Sequence, residues 1–134
     1  MRDRPSAAEL LAIARETLLG ELLPHAPDAQ RYNALMVAAA MAIAAREAEA
    51  GDGALVAERE ALEALYGEAG GEAGAADEPL DAALGRLNRR FAGDLRAGAF
   101  DAPDARQAAA WRLLREVTMA KLMECNPKYL KAEG

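Results

Sequence analysis

Residues 34 to 45 read Ala-Leu-Met-Val-Ala-Ala-Ala-Met-Ala-Ile-Ala-Ala, twelve consecutive positions without a polar side chain. A membrane-crossing helix takes about 20 residues, so this run is too short to span a bilayer. Alanine is the best helix former, and a helix that is apolar all the way round is normally buried on every side. The pattern therefore predicts a central helix over about 28–50, enclosed by its companions, with small alanines that let them approach closely. Enclosure of that kind builds a fold and leaves little room for a reaction centre.

Four more helices follow from the spacing of apolar residues. Ser6-Ala-Ala-Glu9 has the form of a capping box. It starts helix one, which places Leu11, Leu18 and Leu22 on one face near Ala7, Ala8 and Ala14, and which Pro24 and Pro27 stop. Helix two begins near Asp28 and ends at Gly51. Helix three covers about 54–66, with Leu55, Leu62, Leu65 and Tyr66 as a thin apolar stripe, Glu58, Glu60 and Glu63 toward water, and Gly67 as its end. Residues 67–78 are rich in glycine, lack large side chains, and read as a flexible linker. Helix four runs from about 79 to 97 and ends at Gly98; Leu80, Leu84, Leu87, Phe91 and Leu95 make it the cleanest amphipathic segment. Helix five, about 104–125, carries Trp111, Leu114, Thr118, Leu122 and Cys125 on one stripe with Val117 beside it, and Asn126-Pro127 closes it. No window alternates as a strand would. The expectation is an all-α chain: one domain, folded as a five-helix up-and-down bundle.

Length and composition narrow the class. The chain has 134 residues, a net charge of −6 and one cysteine, Cys125. A chain this size buries enough surface to fold without metal or disulfide. The single cysteine and the charged start, with no apolar leader after it, point to the cytoplasm. Charge is unevenly spread. Residues 79–134 hold ten Lys and Arg against seven Asp and Glu, and residues 1–78 hold six against fifteen. An acidic chain repels nucleic-acid phosphates and anionic lipid, so neither is expected as a partner.

Four segments together carry a resemblance: Met1 to Leu11, Gln30-Arg-Tyr-Asn-Ala-Leu-Met36, Ala42-Ile-Ala-Ala-Arg-Glu47 and Asn126-Pro-Lys-Tyr-Leu130. They resemble a small all-helical bacterial domain family of no assigned function. Its members are encoded beside, or fused to, aminoglycoside-phosphotransferase-like kinases, often near acyl-CoA dehydrogenases. The resemblance implies a fold and a kinase neighbour; it implies no catalytic residues.

The chain's own chemistry is sparse. It has no Gly-rich phosphate loop followed by Lys, no kinase catalytic loop and no metal-binding Asp-Phe-Gly. The glycines at 67–74 are flanked by acids and would repel phosphate. His25 and Cys125 are single and form no metal-ligand pattern. Ser6 is the only serine and caps a helix, so no nucleophile–base pair is apparent. No catalytic residue, metal or cofactor is expected.

The polar candidates are Arg31, Tyr32 and Asn33 at one end of helix two, Arg46 at the other, and Lys128 and Tyr129 in the tail. Arg31 and Arg46 lie 15 residues apart, about 22 Å of helix. One reading has the Arg31–Tyr32 end bind a carboxylate or phosphate together with a basic residue of helix four or five. The plainer one pairs Arg31 with Glu16 or Glu21 and sets Arg46 against a helix C-terminus. Arg86, Asn88, Arg89 and Arg90, with Arg112 and Arg115, form a basic cluster. It reads either as a contact patch for an acidic partner or as a solvated face offsetting helix three. The tail, with Tyr129 and Leu130, either packs back or inserts into a partner. The leading functional expectation is a non-catalytic accessory domain working with a phosphotransferase-like kinase. The alternatives are a binding module for an acyl or CoA-like compound, with Met36, Met41, Met119 and Met123 as adaptable lining, and a homodimer.

Overall fold

A computed structural model describes residues 4–67 and 77–131; the expected linker at 67–78 lies outside the described residues from 68 to 76. All regular structure among the described residues is helical. It comprises α1 (Ala7–Thr17), α2 (Asp28–Ala50), α3 (Gly53–Tyr66), α4 (Leu80–Arg96), α5 (Ala105–Cys125) and a short α6 (Pro127–Lys131). The five expected helices are present. The sixth corrects the reading of the tail: Pro127 fits a first turn, and the Tyr129 amide donates to the Asn126 carbonyl.

Chain punctuation behaves as its chemistry requires. Ser6 Oγ accepts from the Glu9 amide at 3.2 Å, and Glu9 Oε2 accepts from the Ser6 amide at 2.6 Å. Asp104 caps α5 by accepting from the amides of Arg106 and Gln107 at 2.9 and 2.8 Å. Gly51, Gly67 and Gly98 all have positive φ, which suits the left-handed exit from a helix.

The described residues form two compact units. One holds those up to Gly51 together with those from Met123 onward; the other is Asp52–Leu122.

The second unit holds the apolar core. Leu62 of α3, Leu84, Leu87 and Phe91 of α4, Phe100, and Ala110 and Leu113 of α5 are buried together. Phe91 and Phe100 meet edge to face with ring centroids 5.4 Å apart. The α4 stripe is thus the one its spacing predicts. The α5 stripe is not. Ala110 and Leu113 are buried, Leu114 and Val117 pack beside them, and Trp111 stays 63% exposed, with Thr118 and Cys125 also outward. Apolar residues are spread nearly evenly around α5, so spacing alone does not select a face; the small Ala110 permits close packing where the indole would not. Polar bonds join α3 to α4: Asn88 donates to Glu58 at 2.6 Å, and Tyr66 donates to Asp94 at 2.8 Å. Glu58 therefore anchors a helix pair instead of simply facing water.

In the first unit α1 packs on α2. Here the enclosed-helix expectation fails. Only Ala38 of α2 is buried; Ala34 and every residue from Met41 to Arg46 are half-buried. Tyr32, Leu35, Met36 and Val37 are about half exposed or more. An alanine methyl group loses little by facing water, so an alanine-rich run is not forced inside, whereas Leu35, Met36 and Val37 leave large apolar surface uncovered. Close approach of α1 is real, for Arg15 Nε reaches the Ala38 backbone carbonyl at 3.2 Å.

Helix one also departs from a simple α-helical stripe. Leu11 and Leu18 are half-buried, but Leu22 is 59% exposed. Residues Leu18–Leu22 form a π turn in which the Leu23 amide bonds to the Leu18 carbonyl, five residues back. That longer step carries Leu23, not Leu22, onto the inner face. A 3₁₀ turn, Leu23–His25, then leads to α2.

Candidate functional site

The π turn and the start of α2 enclose a groove of about 510 Å³. Leu18, Leu22, Leu23 and Ala26 line it from the turn side; Gln30, Asn33, Ala34 and Val37 line it from α2. Gln30 and Asn33 sit three residues apart and so share a helix face. The π turn makes the groove, because it displaces Leu22 and Leu23 from their α-helical positions. No lining side chain is ionisable. Asn33 is legible in the sequence as a polar group before the apolar run. Gln30 and the leucines are not, because the only hint of a π turn is the doubled pair Leu18-Leu19 and Leu22-Leu23, which suits a step of four or of five.

Arg31 does not line the groove. Its Nη1 donates to the Leu23 carbonyl at 3.1 Å, where the two short turns meet, in place of the expected pairing with Glu16 or Glu21. A cation at the end of a helical run is favoured by the exposed carbonyl dipoles. Tyr32 is 70% exposed. At the far end of α2, the half-buried Arg46 donates from Nε to the Glu124 carbonyl in the last turn of α5. It thus meets a helix C-terminus that is not its own. Lys128 and Tyr129 are exposed on α6, while Pro127 and Leu130 are half-buried.

The basic cluster of α4 is already engaged. Arg86 binds Glu78 at 2.8 Å and, chiefly by that hydrogen bond, holds its carboxyl below the ordinary value of 4.5. Arg90 lies 4.0 Å over the Tyr66 ring, and its Nε is 4.0 Å from Asp94. Burial first, and then the hydrogen bond to Asp94, pushes the Tyr66 phenol from 10.0 to about 12. Arg89, Arg112 and Arg115 are exposed.

A second hollow, about 700 Å³, lies between the start of α1 and Ala48 and Glu49 of α2. Its polar groups on the α1 side serve one another: Arg4 pairs with Glu9 at 3.1 Å, and Ser6 and Glu9 form the capping box. Among the described residues no three His, Cys, Asp or Glu side chains gather as a metal would require. None of the described helices is long and apolar enough to cross a membrane. His25 is exposed in the 3₁₀ turn, 19 positions from Ser6 in sequence, and Ser6 is committed to its cap.

No curated protein and no solved structure matches the chain. One family model does match, over residues 24–129, a span that includes α2, the core of the second unit and the tail as far as Tyr129. The chain therefore belongs to the family described as a domain of unknown function, DUF6285.

Proposed function

We propose that this protein is a non-catalytic interaction domain of the cytoplasm whose first unit docks a phosphotransferase-like kinase. One observation carries the reading. The outward faces of α1 and α2 present Leu10, Ile13, Tyr32, Leu35 and Met36, each at least half exposed. Large apolar side chains gathered on one unit mark a contact surface more often than scattered single ones do. Tyr and Met are favoured at such surfaces, Tyr for its rigid area and Met for its adaptability. The kinase is the partner because of the resemblance carried by Gln30 to Met36 and Ala42 to Glu47.

The test is co-purification of the full chain with a kinase encoded beside it, using wild type and a Leu35→Asp, Met36→Asp double variant. Association at micromolar concentration, lost in the variant, supports the reading. Absence of association, together with unchanged kinase activity, refutes it. A symmetric dimer of this chain that occupies the same face and persists with the kinase present also refutes it.

A further inference from the structure

We propose that the groove beside the π turn is a binding site for a small uncharged amphiphile, with an apolar chain against the leucines and a neutral hydrogen-bonding head at Gln30 and Asn33. This goes beyond the docking role, which rests on other residues.

The size is right: small-molecule sites are commonly clefts of about 300–1,000 Å³, apolar with a few convergent polar groups, and this groove is about 510 Å³. The π turn is a further sign, since such turns cost regular helix geometry and are frequently found at functional sites. The lining selects the head group. Gln30 and Asn33 each offer an amide N–H₂ donor and a carbonyl acceptor, which an amide or alcohol satisfies in both directions. Neither residue supplies charge. The neighbouring cation, Arg31, donates to the Leu23 carbonyl and is absent from the lining. A carboxylate or phosphate head would lose water there without gaining a counter-ion. Leu22 and Val37, both exposed, and the half-buried Leu18 and Leu23 take the chain.

The experiment titrates hexanamide, and separately hexanoate, into the isotope-labelled full chain and follows methyl resonances. Hexanamide should shift Leu18, Leu22, Leu23 and Val37 saturably, with hexanoate weaker by roughly tenfold or more. Val37→Trp fills the groove at an exposed position and should weaken hexanamide by roughly tenfold, with methyls of the second unit unmoved. A Gln30→Leu, Asn33→Leu variant should still bind, but without preferring the amide over hexane. Equal response to hexanoate, shifts indifferent to Val37→Trp, or line broadening in free protein that dilution relieves would each overturn the proposal. The last would mean that a second copy occupies the groove.

Discussion

Two glycines show how much a single residue's setting decides. Gly20 lies in the π turn, and a Cβ added to it would meet only open space. Gly20→Ala should therefore stabilise the protein by about 0.4–1 kcal/mol, by narrowing the unfolded chain's freedom. Gly98 has φ +76, and a Cβ there would lie 2.8 Å from Asp101 Oδ2. Gly98→Ala should cost about 1–2 kcal/mol; chemical denaturation of both variants checks the opposite signs. Tyr66 makes a pH prediction. The fold favours its protonated form, so the stabilisation is intact below pH 10 and is lost as pH rises toward 12. Alkaline melts of wild type should steepen across that window, and those of Tyr66→Phe should not. Glu78 acts at the opposite end, its contribution present above the ordinary carboxylate range and lost as pH falls through its lowered value. Helix boundaries are legible at this scale because caps are local: Ser6 with Glu9, and Asp104 with the next amides, need no knowledge of the fold. The Arg31 partner is not legible, because the acceptor is a backbone carbonyl, shared with the Ala26 amide, in a turn that side-chain pattern barely marks.

At the scale of the element, α4 and α5 form an instructive pair. Leu80 to Leu95 lie on a single stripe with charged residues opposite, and the structure buries that stripe. In α5 the apolar residues surround the axis, and tertiary packing chooses among them. The test is a pair of truncations read by denaturant midpoint. Leu113→Ala should cost about 2–5 kcal/mol, while Trp111→Ala, though removing the larger side chain, should stay within about 0.5 kcal/mol. The reverse order would restore the stripe that spacing predicts. For α2, hydropathy identifies a helix and cannot tell buried alanine from exposed alanine, since the two differ little in energy. Part of the candidate site followed from that same stretch: Asn33 is visible as a polar residue at a helix start, but the hollow beside it depends on the path of the preceding turn.

Across the whole molecule, buried apolar side chains are unequally divided. Among the described residues, Leu62, Leu84, Leu87, Phe91, Phe100 and Leu113 are in the second unit, against Ala38 alone in the first. Native-state hydrogen exchange should therefore be slowest in α4, around Leu84 to Phe91, and faster through α1 and α2. Uniform protection across the two would contradict that division. The first unit is also discontinuous: its opening stretch ends at Gly51 and resumes at Met123, and Arg46 grips a carbonyl 78 positions ahead. A change near residue 124 is therefore felt at the opening stretch: unwinding the last turn of α5 takes from Arg46 the carbonyl it holds, however distant the two are in sequence.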